Sequence, residues 1–208
     1  MRRALYGAPH FIAYALTAPS ASARLSVIAE RRAVHADRKR EHLRIALEQD
    51  VRSACSTGLE RYRLVHEALP EMALAEVDMR TSFLGRRLQA PLLISAMTGG
   101  APEAHDINRR LAVAAQTLGL ALALGSQRAA LDDPALLATY QVRDLAPDIP
   151  LLANLGAVQL NYGVGPDDCR RLVDEVEADA LVLHLNPLQE ALQPEGNTDF
   201  RGLVVKIE

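Results

Sequence analysis

Four short apolar runs begin at residues 92, 120, 151 and 180, and each stops at a small polar cluster. Leu92-Leu93-Ile94-Ser95-Ala96 runs into Met97-Thr98-Gly99-Gly100, and Leu120 to Leu124 into Gly125-Ser126-Gln127-Arg128. Leu151-Leu152-Ala153 meets Asn154-Leu155-Gly156, and Ala180-Leu181-Val182-Leu183 meets His184-Leu185-Asn186-Pro187-Leu188-Gln189-Glu190. Buried runs this short, separated by helical sequence, predict repeated units of strand, polar turn and helix. The right-handed crossover rule then makes the sheet parallel. The expected fold class is α/β, a partial TIM-type (β/α) barrel of four strand-helix units preceded by a helical N-terminal segment. Chemistry in such folds sits at the carboxyl ends of the strands, where the four polar clusters lie.

The intervening sequence supports the units. Residues 106–118 have a helical pattern ended by Gly119, a common C-terminal stop. Asp132-Asp133 precedes an expected helix over 134–142, and Pro166 with Asp167-Asp168 opens another over 166–176. Upstream, residues 38–52 read as a short amphipathic helix and Tyr62 to Leu69 as a second short segment. Ala75 to Asp78 and Ser82 to Leu84 suggest a small hairpin leading to Gly85, placed to close the bottom of a barrel. A closed barrel has eight units and typically about 250 residues. Residues 37–208 are therefore expected to be the N-terminal portion of one barrel domain, C-terminally truncated. Lys206 then reads as an exposed helix residue. Residues 1–36 read as a disordered or misassigned extension. They have the basic start and small residues of a signal peptide, but Gly7, Pro9, His10 and Pro19 break the apolar middle.

Composition narrows the function classes. A hydrophobic content of 49% supplies a core and argues against wholesale disorder. The net charge of −3 lacks the basic excess of nucleic-acid binders. Neither a nucleic-acid partner nor a membrane is expected, since no apolar run approaches the roughly 20 residues of a membrane span. Cys55 and Cys169 have no metal-ligand spacing and read as free thiols in a reducing, cytoplasmic compartment.

Each cluster has a chemical and a structural reading. Gly99-Gly100 either lets backbone approach a flat or anionic ligand or supplies a turn with positive φ. Ser126, Gln127 and Arg128 offer donors to phosphate oxygens, although Arg128 has Asp132 and Asp133 nearby as possible partners. Asn154 binds either the scaffold or the edge of a heterocycle. His184 to Glu190 gathers an imidazole, two amides and a carboxylate. Glu190 suits a divalent ion such as Mg²⁺, held by one or two carboxylates and substrate phosphates, or else it is a solvated residue in a capped helix. The loop from Gln193 to Asp199 reads as part of a lid.

At these residues the sequence resembles the type 2 isopentenyl-diphosphate isomerases, flavin-dependent β/α-barrel enzymes. The similarity runs from about Asp37 to Leu203. It rests on Arg38-Lys39-Arg40-Glu41-His42-Leu43, Phe83-Leu84-Gly85, Ser95 to Gly100, Gly125 to Arg128, and His184 to Gly196. The resemblance implies conversion of isopentenyl diphosphate to dimethylallyl diphosphate with reduced FMN, Mg²⁺ and NADPH as reductant, in a homo-oligomer. It implies that Ala96, Met97, Thr98, Ser126 and Asn154 contact the flavin. Arg38, Lys39, Ser126, Gln127, Arg128 and Gln189 would bind substrate. His184, Asn186 and Gln189 would be catalytic, with Glu190 on the metal. An FMN-dependent barrel dehydrogenase and a non-catalytic half-barrel pairing module remain as alternatives.

Overall fold

The computed structural model describes residues 40–193 and 196–208. The expected substrate ligands Arg38 and Lys39, and the extension over 1–36, lie outside the described residues. Among the described residues there are six strands: β1 (Thr81–Phe83), β2 (Arg86–Leu88), β3 (Leu93–Ile94), β4 (Ala121–Ala123), β5 (Leu151–Gly156) and β6 (Ala180–His184). The helices are α1 (40–48), α2 (Pro102–Leu118), α3 (Arg128–Asp132), α4 (Pro166–Glu175), α5 (Pro187–Leu192) and α6 (Leu203–Ile207). Strands β3-β4-β5-β6 form one parallel sheet in sequence order. This is the α/β half-barrel arrangement expected from the four apolar runs.

Helix α2 starts earlier than the apolar pattern suggests, at Pro102, because a proline at the first turn needs no amide partner and Glu103 faces the positive helix end. It stops where expected, at Gly119, whose φ of 64° lets its amide reach back to Ala115 and Gln116. The helix expected over 134–142 is instead a 3₁₀ helix, Pro134–Thr139, which the Asp133 carboxylate caps by accepting from the Ala135 amide. The short segment expected at Tyr62 to Leu69 is irregular, with one 3₁₀ turn at Leu59–Arg61 just before it.

The hairpin also shifts. Ala75 and Glu76 belong to a 3₁₀ turn, and β1 pairs with β2 through a two-residue turn at Leu84 (φ 51°) and Gly85 (φ 74°). Two successive positive φ angles are the geometry that matches hairpin twist. The hairpin docks at the amino end of the sheet, as expected of a barrel floor. Arg86 binds Asp179 at 2.8 Å and donates to the Pro147 carbonyl, and the Gln89 amide donates to the Gly119 carbonyl.

The core lies between the sheet and its helices. Ala112 and Ala115 of α2 pack with Leu122, Leu124, Leu151, Ala153 and the ring of Tyr140, all essentially without solvent exposure. Each such Leu contributes about 1.5–3 kcal/mol of burial. Alternation along β5 sends Leu151 and Ala153 to this side and Leu152 and Asn154 to the other. Pairing of Asn154 with Val182 and of Gly156 with His184 brings Asn154 and His184 to the same inner face. The sheet therefore builds the site through its pleat and register. Among the described residues, no helix is long and apolar enough to cross a membrane.

Candidate active site

The carboxyl ends of β3, β4, β5 and β6 meet in a cleft of about 280 Å³. Ala96 and Met97 enter it from β3, Ser126 and Arg128 from β4, Asn154 from β5, and His184, Asn186, Gln189 and Glu190 from β6 and α5. Thus nine residues singled out by the sequence share one surface. Small-molecule sites usually occupy about 300–1,000 Å³, so the cleft lies just below that range and suits a small ligand or part of a larger one.

Two expected residues are not brought to it by their side chains. Thr98 is 4% exposed, and its carbonyl accepts from Asn108 at 3.1 Å. Gln127 is fully buried. Its amide oxygen accepts from the Asn154 backbone N–H at 3.0 Å, and its nitrogen donates to the Leu172 carbonyl at 3.3 Å. A buried amide with both ends engaged is scaffold: Gln127 ties β5 to α4 and fixes Asn154 from behind.

The glycine pair after β3 also serves the scaffold. Gly100 has φ 76°, and a Cβ on Gly99 would fall 1.8 Å from Tyr140 Cε1. The close approach at Gly99 is to the Tyr140 ring. The ring's hydroxyl in turn donates to the Ser126 carbonyl at 2.8 Å, so it props the strand end that carries Ser126.

Asn154 and His184 form a pair across β5 and β6. His184 Nδ1 lies 2.8 Å from Asn154 Oδ1. An amide oxygen only accepts, so the imidazole carries its proton on Nδ1, and Nε2 lies on the Gly156 side. Asn154 is 4% exposed, so the pair is held rigidly.

The turn from β6 into α5 supplies the densest chemistry. Pro187 opens α5, which places positions 186, 189 and 190 on one face. Asn186 Nδ2 donates to Gln189 Oε1 at 3.1 Å and to Glu190 Oε1 at 2.9 Å. Glu190 is 6% exposed although it lines the cleft. The buried Asn186 Oδ1 has no hydrogen-bond partner among the described residues. An orphaned amide oxygen beside a carboxylate is a hard-oxygen pair of the kind that Mg²⁺ takes.

The sequence did not single out His42, Gln159 or Gln193 as site residues, yet all three line the cleft. His42 arrives on α1, which an Arg40–Glu103 ion pair of 3.1 Å ties to the start of α2. Its signal lay in the Arg38-to-Leu43 stretch. Gln159 had none, because it follows β5 in an apolar 3₁₀ turn, Ala157–Asn161. Of the segment read as part of a lid, the described end is held by a hydrogen bond: Asn161 Nδ2 donates to the Asp199 carbonyl (2.8 Å), and also to that of Arg201 just beyond it (2.9 Å).

Parallel β/α units with their polar groups gathered at the strand ends define a site of the β/α-barrel class. No family model matches the chain. Proteins named isopentenyl-diphosphate delta-isomerase do resemble it. That of Synechococcus sp. is 61% identical over 171 residues, covering 82% of this chain and 49% of the relative. That of Rickettsia prowazekii is 54% identical over 172 residues, 83% of this chain and 50% of the relative. That of Nostoc sp. is 54% identical over 171 residues. The chain spans about half the length of the curated relatives it matches, and over that half the resemblance read from the sequence holds.

Proposed function

We propose that this chain carries the substrate-handling part of a type 2 isopentenyl-diphosphate delta-isomerase, acting in isoprenoid biosynthesis in the cytoplasm. The reaction is conversion of isopentenyl diphosphate to dimethylallyl diphosphate. The observation that carries the reading is the grouping of Asn186, Gln189 and Glu190 on one helical turn beside the Asn154–His184 pair.

The residues fit the groups such a reaction needs. Ala96, and Met97 at 64% exposure, offer a small apolar ledge to a flat ring, with Ser126 and Asn154 beside it. Ala96, Met97, Ser126 and Asn154 would hold reduced FMN, which when bound would supply proton-transfer chemistry at the alkene, with NADPH as its reductant. Glu190 and the orphaned Asn186 oxygen suit Mg²⁺, the charge partner for the diphosphate. Arg128, with Arg38 and Lys39, provides guanidinium and ammonium charge for the same group. Holding the diphosphate lets binding energy remote from the reacting carbons fix the alkene in place. Gln189, steadied by Asn186, orients or relays a proton at those carbons. His184, with its proton held on Nδ1 by Asn154, presents one fixed tautomer to the site. We also read the protein as a homo-oligomer, because β6 and α6 leave an apolar trough lined by Leu160, Leu181, Leu183 and Ile207.

The test is anaerobic formation of dimethylallyl diphosphate by the purified chain with isopentenyl diphosphate, Mg²⁺, FMN and NADPH. Turnover is expected, and Gln189→Ala is expected to lower it by about 10²–10⁴-fold, the usual contribution of a positioned proton-transfer group. Turnover indifferent to Gln189, or no turnover even when the chain is completed by the remaining strands of such a barrel, would overturn the reading.

A further inference from the structure

Glu190 is held from two sides, and the second is a device outside the residues so far assigned a role. Its Oε1 accepts from Asn186, while its Oε2 accepts from the backbone N–H of Asn197 at 2.6 Å. The Asn197 side chain donates in turn to Gln159 Oε1 at 3.3 Å. Gln159 is 6% exposed and sits in the 3₁₀ turn after β5, so its anchor point is rigid. The same turn grips the loop further along. Asn161 binds the Asp199 and Arg201 carbonyls, and the Tyr162 hydroxyl accepts from the Asp199 amide at 3.1 Å. Gly196 lets the loop press onto α5, since a Cβ there would lie 1.7 Å from the Glu190 carbonyl oxygen.

We infer that Gln159 and Asn197 are positioning residues that fix the Glu190 carboxylate for a hard divalent cation. They act through a relay from the turn after β5 to the loop after α5. Each Glu190 oxygen takes one hydrogen bond in this arrangement, and a carboxylate has about four lone-pair sites, so both oxygens retain capacity toward the cleft. Partners of this kind around a metal ligand set its orientation and affinity. The inference rests on the reading of Glu190 as a cation ligand.

The experiment is Mn²⁺ binding to the 208-residue chain, followed by electron paramagnetic resonance with isopentenyl diphosphate present. Amide hydrogen exchange at Asn197 is followed by NMR alongside. Wild-type protein is expected to bind Mn²⁺, and Glu190→Gln to lose it. Gln159→Leu and Asn197→Ala are each expected to weaken binding about tenfold, the lower end for such supporting groups. The double variant should be no weaker than either single one, because both cut one relay. Gln159→Glu, which keeps an acceptor, should bind within about threefold of wild type. Gln159→Leu should also speed Asn197 amide exchange at least about tenfold. If Glu190→Gln abolishes binding while Gln159→Leu and Asn197→Ala stay within about twofold, the positioning role is overturned and the cation reading stands. If wild type and Glu190→Gln behave alike, the cation reading fails. Asn197 exchange then decides the relay, and exchange unchanged in Gln159→Leu overturns it.

Discussion

Asp179→Asn is expected to lower the unfolding free energy by about 2–4 kcal/mol, the low side of the roughly 3–5 kcal/mol seen when buried ion pairs are broken. Asp179 sits just before β6 and joins three parts of the fold. One oxygen accepts from the Leu151 amide at the start of β5 and from Arg143, both at 2.8 Å. The other accepts from Arg86 of the hairpin at 2.8 Å. Removing the charge leaves two guanidinium groups over one carbonyl-rich pocket with no anion. The cost falls below that of a fully buried pair because the Arg86 side chain is 32% exposed, and because Arg143 keeps the carbonyls of Ala146, Ile149 and Glu177. Thermal unfolding should shift by about 4–16 °C at roughly 2–4 °C per kcal/mol for a chain of this size.

The same group predicts a pH dependence. Burial opposes ionisation of Asp179, but the Leu151 amide, Arg143 and Arg86 outweigh it and hold its carboxyl below the ordinary range. A carboxylate depressed in the folded state contributes stability above its unfolded value of about 3.9, and that contribution is lost as pH falls through the folded value. Wild type should therefore lose stability below about pH 4 more steeply than Asp179→Asn, which has already lost this contribution. Parallel slopes in acid unfolding would contradict the assignment.

Gly99→Ala is expected to be as damaging, at about 3 kcal/mol or more, the upper end of overpacking in a close-packed core. The new methyl would overlap the Tyr140 ring at 1.8 Å from Cε1 and 2.4 Å from Cζ. Tyr140 is fully buried, and moving it breaks the bond to the Ser126 carbonyl. The variant should thus lose stability and loosen the β4 end of the cleft together. Gly165→Ala is the matched control. Nothing lies within 4 Å of a Cβ there and its φ is −114°, so it should unfold within about 0.5 kcal/mol of wild type. Equal stability of the two variants in urea would refute the packing argument.

What could be read from the sequence follows from how each feature is encoded. The parallel sheet was legible because its strands are short apolar runs at regular spacing, a local signal. The hairpin was misplaced by several residues because Leu84 adopts positive φ, which its side chain does not announce. The helix expected over 134–142 is a 3₁₀ helix that ends at Thr139, and the buried Tyr140 follows it, a tertiary placement that local periodicity does not encode. At the site, Asn186, Gln189 and Glu190 were legible as a cluster on one turn. Gln127 was misjudged because a polar side chain beside Ser126 and Arg128 looks identical in sequence whether it faces the cleft or clamps two elements behind it. Gln159 was invisible for the converse reason: its work depends on Asn197, which lies 38 residues away.

The most direct test of the account is calorimetric titration of the purified chain with isopentenyl diphosphate, with and without Mg²⁺. Saturable binding that strengthens at least about tenfold with Mg²⁺, and loses that dependence in Glu190→Gln, is the predicted result. Absence of binding, or Mg²⁺ dependence that survives the loss of the Glu190 carboxylate, would contradict the claim that these strand ends form an isomerase site.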